Sequence, residues 1–291
     1  MTSFFSFFTP ASQACNPYVL LGKTPDGATE TLMEDLSNRI RELIVKSPQA
    51  HPYFFFDFDG TVIDGDVTEG LQGEYSGLAS LAIEHGLASE EYRGAAGVEK
   101  FWSKYHEIHA REGTKAAYVW TADQFANFTP GQRAQFEKIA ADYWEKTLKN
   151  YLFDSSLQWI RAIQAQGGTV VVLSASPQVF VEAGAHFVGI PRDFFFGINR
   201  DQNEKGQWIN PIVTYAEGKV SQMNEILDRD PHAVVVGGFG NSWGTDGAFL
   251  KEVAMKHKGL SVMINGGGAP GEGHGIVEIV QKRRFGQKKP L

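Results

Sequence analysis

Two aspartates one residue apart, Asp57 and Asp59, close the apolar run Tyr53-Phe54-Phe55-Phe56, and Gly60-Thr61 follows them. Residues two apart on a strand share a side, and Gly60 lets the chain turn at once. Both carboxyls can then converge on one site. Keeping two such groups ionised together is costly unless a cation neutralises them, and a hard cation such as Mg²⁺ answers that need with oxygen ligands. Alone, the pair reads more readily as a strand-end turn with two solvated aspartates, since Asp is a common turn former.

The features that follow favour a site. Val170-Val171-Val172-Leu173 ends at Ser174, whose hydroxyl, with neighbouring backbone N–H groups such as that of Ala175, suits a phosphate oxygen. Ser176-Pro177 reads as the N-cap and first turn of a helix through Val179-Phe180-Val181, its dipole favourable to an anion. Gly218-Lys219 opens another helix and offers a fixed positive charge. Finally, Val234-Val235-Val236 runs into a glycine-rich stretch, Gly237 to Asp246, that contains Asn241. Each has an ordinary explanation: a strand-end serine, a surface lysine, a flexible turn. Together they supply nucleophile, acid, anion hole, cation and metal ligands.

Such residues must be carried by strand ends and helix starts. Apolar runs at Tyr53–Phe56, Thr169–Leu173, Ala233–Val236 and Leu260–Ile264, each bounded by turn residues, suit parallel strands buried on both faces. Helical spacing over 29–46 (Leu32, Leu36, Ile40, Leu43, Ile44), Ser156–Gln166 and Lys219–Leu227 supplies the covering layers. The predicted fold is α/β: a Rossmann-like, three-layer α/β/α parallel-sheet core. Residues 65–150 break the rhythm, hold no comparable strand run and are rich in aromatics, so they are expected to form a mostly α-helical insertion.

This ordered set resembles the motifs of the haloacid dehalogenase superfamily: Asp57-Phe58-Asp59-Gly60-Thr61, then Ser174, Lys219, and Gly240-Asn241-Ser242 through Asp246. The resemblance implies a core of residues 1–64 and 151–291, including an N-terminal extension, and a C1 cap of residues 65–150. It implies a Mg²⁺-dependent phosphatase with Asp57 as nucleophile, forming an aspartyl-phosphate, and Asp59 as acid and base. Thr61, Ser174 and Lys219 would complete the catalytic set, and Asp57, Asp59, Asn241 and Asp246 would hold the metal. Most members have Gly-Asp where this chain has Gly240-Asn241, so the metal site carries one fewer negative charge; an alternative register would use Gly237-Gly238.

The cap is similar to that of the phosphoserine and phosphorylcholine phosphatase branch, with Asp66 and Glu69 at spacings like its acidic positions. The implied substrate is a small phosphate ester with an amine or quaternary ammonium, such as phosphorylcholine or phosphoserine. Asp66 and Glu69 would bind the cation, with Trp102, Tyr105 and Trp120 as a cation–π face. Competing readings are another alcohol phosphate, a prenyl diphosphate, phosphotransfer, or a catalytically silent ligand-binding relative. Asp59 and the metal set argue against dehalogenation. His106 and His109, three apart, are expected at the surface or in packing, and Asn127-Phe128-Thr129, followed by Pro130, is discounted as a glycosylation site.

Composition agrees with a globular enzyme: 42% hydrophobic, 21% charged and a formal net charge of −7 in 291 residues. That balance gives no general attraction to nucleic acid or anionic membranes, so a phosphate ester needs a local positive site. No apolar stretch approaches the ~20 residues that span a bilayer. The single cysteine, Cys15, excludes an internal disulfide framework and fits a reducing compartment. A cytoplasmic monomer or homodimer is expected. The run from Met1 to Cys15 lacks a basic start and is broken by Ser6 and Pro10, which argues against a cleaved signal, secreted or periplasmic placement being the alternative. The basic run 282–289 reads as a solvated tail.

Overall fold

The computed structural model describes residues 25–266 and 275–281; the expectations for the N-terminal run, Cys15 and the basic tail lie outside them. In chain order the chain forms α1 (Pro25–Lys46), β1 (His51–Phe56), a minimal hairpin of β2 (Gly70–Leu71) and β3 (Tyr75–Ser76), α2 (Leu78–Glu84), α3 (Gly94–Glu112), α4 (Thr114–Gln124), α5 (Pro130–Lys146), α6 (Asp154–Ala165), β4 (Thr169–Pro177), α7 (Gln178–Glu182), α8 (Ala185–Val188), β5 (Phe195–Ile198), α9 (Glu217–Asp228), β6 (Ala233–Gly240), α10 (Gly247–Met255), β7 (Leu260–Ile264) and β8 (Ile276–Ile279).

Six parallel strands make one sheet in the order β5-β4-β1-β6-β7-β8. The four apolar runs are its β4, β1, β6 and β7. Alternation of side chains divides them between two cores. Phe54, Phe56, Val170 and Val172 face Leu32, Leu36, Ile40, Trp159, Ile160 and Ile163 of α1 and α6. Phe55, Val171 and Leu173 face Met223, Phe249, Leu250 and Val253 of α9 and α10. The three phenylalanines of β1 are fully buried, each contributing about 1.5–3 kcal/mol of hydrophobic stabilisation. Ile44, expected in the buried stripe of α1, instead emerges 42% exposed.

From β1 the chain builds outward to β4 and β5, then returns to the other side of β1 with β6. The crevice at this reversal, beyond the strand C-termini, is where parallel sheets of this kind bind ligands. Between β1 and β4 lies the helical insertion, relieved only by the two-residue hairpin. It shares the core of the α1/α6 face: Phe125 and Phe136 of the insertion pack on Phe180 of α7, with ring centroids 4.7 and 5.4 Å apart. At its far side, Asn127 donates its N–H to Asp201 Oδ1 (2.5 Å) and accepts from Gln202 N on Oδ1 (2.8 Å), tying the α4–α5 turn to the loop after β5. Thr129 caps α5 in a capping box with Gln132.

One local expectation is corrected. Ser176 does not cap a helix: β4 continues through Pro177, which pairs with Ile198 across an irregularity after Leu173, and Pro177 is itself the extended residue before the five-residue α7. The strands β5 and β8, interrupted by Gly197 and Glu278, lie outside the expected apolar runs.

Candidate active site

The crevice is lined by Asp57, Asp59, Gly60, Gly65, Asp66, Tyr118, Ala175, Ser176, Asn241, Ser242 and Thr245. Asp57 leaves β1 with its N–H donated to Phe239 O (2.7 Å), which fixes the end of β1 against β6. Its Oδ1 accepts from Lys219 Nζ (2.6 Å) and its Oδ2 from Thr61 Oγ1 (3.2 Å). Thr61 is held in turn by Ser156, whose hydroxyl donates to the Thr61 carbonyl at 2.6 Å. Gly60 turns the chain with φ +70°, and a Cβ there would lie 1.8 Å from Asn241 Nδ2, so the glycine also makes room for Asn241.

Asp59 is gripped on both oxygens. Its Oδ1 accepts from Val67 N (2.7 Å) and its Oδ2 from Ser176 Oγ (2.7 Å) and Ser174 Oγ (3.1 Å). Burial foremost, then the charge of Asp66, pushes Asp59 up to about 7 against these hydrogen bonds. Ser174 itself is fully buried behind Asp59 and does not line the crevice, whereas Ala175 and Ser176 do.

Lys219 rises from α9 with no exposed surface, bonded to Asp57 and, at 2.5 Å, to Asp246 Oδ1. Burial works to lower its basicity, but Asp246 and Asp57 together outweigh this and raise it. Asp246 is fully buried, and its Oδ2 accepts from the N–H groups of Asn241 and Ser242. Both of its oxygens accept hydrogen bonds, and it does not line the crevice. From there it clamps the Asn241 loop and the lysine.

Asp66 lines the crevice, its Oδ1 accepting from Thr68 N (2.7 Å) and Glu69 N (2.9 Å). Glu69 lies deeper, accepting from Tyr105 at 2.5 Å. Burial first and mutual repulsion second push Asp66 up to about 7; Glu69 reaches about 7 through burial, opposed by its bond from Tyr105. Trp102 and Trp120 are absent from the lining: Trp102 Nε1 donates to Ser80 Oγ at 2.9 Å, and Trp120 packs on Phe101 at 4.8 Å. Tyr118, not singled out from the sequence, is the aromatic that reaches the crevice, its ring 6.0 Å from that of Tyr215. His106 and His109 are exposed.

The donor chemistry fits a hard cation. Asp57, the Asp59 main chain and Asn241 offer oxygen ligands, and among the described residues the buried acids around them outnumber the single buried ammonium, Lys219. Burial, then the charge of Asp246, raises Asp57 well above the usual carboxylate range despite Lys219, a penalty that a bound cation relieves. Among the described residues no three His, Cys, Asp or Glu side chains are placed to hold a metal, so such an ion would rest partly on amide and main-chain oxygen.

The sequence pattern of haloacid dehalogenase-like hydrolases matches residues 54–244, from β1 through the Asn241 loop. The chain belongs to this family. Its six-stranded parallel sheet with flanking helices is the α/β, Rossmann-like fold of these hydrolases, and the chain is accordingly an enzyme of the hydrolase class. The fold is similar to a protein of unknown function from Bordetella pertussis Tohama I (TM-score 0.57, 16% identity, 79% of this chain and 98% of that one). It is also similar to a conserved protein of unknown function from Anaerococcus prevotii DSM 20548 (0.52, 15%, 81% and 87%) and to cytosolic 5'-nucleotidase IIIB bound to cytidine (0.51, 16%, 89% and 88%). No curated protein matches the sequence. Among the described residues, no helix is long and apolar enough to cross a membrane.

Proposed function

We propose that this hydrolase is a Mg²⁺-dependent phosphomonoesterase, with Asp57 as nucleophile and Asp59 as general acid and base. The observation that carries the reading is that Asp57, anchored by Lys219 and Thr61, shares the crevice with Asp59, whose carboxyl burial pushes up to about 7. An Asp57 oxygen forms a bond to phosphorus as the ester P–O bond breaks, and the proton of Asp59 goes to the departing alkoxide. Asp59, now a carboxylate, takes a proton from water, whose oxygen displaces Asp57 and releases phosphate. Ser176 and the main chain at Ala175 border the space for the phosphoryl group. When bound by Asp57, the Asp59 carbonyl and Asn241, Mg²⁺ supplies charge stabilisation for the phosphoryl oxygens. Residues 65–150 serve as the cap, with Asp66 and Tyr118 on its side of the crevice.

The lining supports a cationic leaving group. Asp66 and Tyr118 stand there, and among the described residues no Lys or Arg lines the crevice. A carboxylate on the substrate, as in phosphoserine, would lack a counter-charge, so a choline-like or ethanolamine-like phosphate fits better. The likeness to a 5'-nucleotidase is one of fold, and a nucleoside monophosphate belongs in the substrate comparison.

The hydrolytic reading is tested with p-nitrophenyl phosphate. Wild type should release phosphate with Mg²⁺ and stop on chelation, while Asp57→Asn, nearly isosteric but without a nucleophilic carboxylate, should fall to background. Absence of release from wild type across divalent metals and pH would sink the reading.

A further inference from the structure

The mechanism asks Asp59 to give up a proton to the leaving alkoxide and later to take one from water, so its carboxyl must stay aimed at the ester oxygen through both steps. Two hydroxyls hold the same oxygen of that carboxyl, and their situations differ. Ser174 Oγ is 3.1 Å from Asp59 Oδ2, lies outside the crevice, and also accepts the N–H of Ser176 at 3.0 Å. Ser176 Oγ is closer, 2.7 Å, and lines the crevice.

The backbone explains how a second serine comes to this place. β4 runs on through Pro177, so residues 174 and 176 alternate onto one side of the strand. The pairing slips between Leu173 and Pro177, so four residues of β4 run opposite two of β5 and the intervening segment bulges. Gly197 of β5 admits the bowed segment: a Cβ there would lie 2.6 Å from the Ser176 carbonyl. Gln178 secures the same junction, donating to Phe195 O (2.7 Å) and accepting from Gly197 N (2.5 Å). A strand end shaped by a bulge, a glycine and a side-chain clamp delivers one hydroxyl to one carboxylate oxygen.

We infer that Ser176 is a positioning residue for the acid–base group Asp59. Its hydroxyl, with Val67 N on the opposite oxygen, fixes the carboxyl plane and leaves the proton-bearing face toward the leaving group. Ser174 backs this arrangement from behind. The inference rests on the phosphomonoesterase reading and goes beyond it by naming which hydroxyl orients the acid.

The test uses leaving groups of different need. An alkyl phosphate requires protonation as its P–O bond breaks, whereas p-nitrophenolate departs without it. Because kcat/KM covers steps only through the first departure, the second half-reaction does not blur the comparison. General acid catalysis supplies roughly 10²–10⁴-fold, so loosening the acid should cost an alkyl phosphate about tenfold or more beyond any loss on the aryl ester. Ser176→Ala should therefore lower kcat/KM for phosphorylcholine or glycerol phosphate at least about tenfold further than for p-nitrophenyl phosphate. Ser176→Thr, which keeps the hydroxyl, should return the ratio toward wild type.

Equal losses on both esters would overturn the inference, since a phosphate-binding or purely structural serine affects them alike. An unchanged ratio, or a Thr variant that behaves as Ala does, would overturn it too. These outcomes presuppose an active wild type, so they are distinct from failure of the phosphatase reading, which silences wild type itself.

Discussion

Asp66 is the side chain on which substrate choice turns. Its Oδ1 is occupied by the N–H groups of Thr68 and Glu69, which fixes the carboxylate at the crevice wall. Asp66→Asn keeps that acceptor and removes only the charge. Against phosphorylcholine, kcat/KM should fall about 30-fold or more relative to the change for an uncharged sugar phosphate, the lower end of the roughly 2–5 kcal/mol lost when one partner of a buried charge pair is removed. Wild type should prefer phosphorylcholine and phosphoethanolamine over sugar phosphates and cytidine monophosphate. Indifference of wild type, or an equal loss on both substrates in the variant, would remove the cationic leaving group from the proposal. Asp66 was legible because it follows Asp57 closely in sequence. Tyr118 was not. The sequence marks both Tyr118 and Trp120 as aromatics on a helix, and residues two apart point to different sides. Which side meets the crevice is decided by packing: Trp120 goes to Phe101 and Tyr92, leaving Tyr118 to the site.

Lys219 reaches Asp57 only because α9 begins where it does. Gly218, in the first turn, brings the helix so near the preceding loop that a Cβ would lie 1.7 Å from the Val213 carbonyl. Ala216, just before the helix, takes φ +49° and ψ −116°, a positive-φ conformation unusual outside glycine, held as its N–H donates to Thr245 O at 3.1 Å. Gly218→Ala must therefore move α9 or the loop. It should cost about 1–3 kcal/mol of stability, as overpacking does, and lower kcat/KM further by shifting Lys219 from Asp57 and Asp246. Melting and p-nitrophenyl phosphate kinetics check this; a variant matching wild type in both would refute the close approach.

The same elements show what sequence reveals at this scale. The four apolar strand runs are visible because burial on both faces leaves an unbroken hydrophobic signature. β5 and β8 are hidden because Gly197 and Glu278 break their four-residue apolar runs. Ser176-Pro177 misleads, since a Ser-Pro pair before an apolar stretch suits a helix cap, and only pairing with a strand invisible in the sequence keeps it extended.

At the scale of the whole molecule, the crevice concentrates carboxylates that the fold shelters from water. Asp66 ordinarily titrates at 3.8 and Glu69 at 4.5; in the folded chain each is raised to about 7. The folded state then binds more protons than the unfolded state between these limits, so stability must fall as pH rises through the window from about 4 to about 7. Their favourable contribution is complete below the unfolded values and gone above the folded ones. Chelated wild type should thus melt lower at pH 7.5 than at pH 5.5, relative to an Asp66→Asn/Glu69→Gln double variant that no longer carries these protons. Magnesium should reverse part of the loss, since an ion that binds only the folded chain stabilises it by RT ln(1 + [L]/Kd). Protons and metal compete for the same acidic crevice, so the Mg²⁺-induced rise in Tm should be larger at pH 7.5 than at pH 5.5. Parallel melting curves for wild type and double variant across this range would mean that the carboxylates are not held protonated by the fold. A Mg²⁺ effect equal at both pH values would mean that the ion binds away from them.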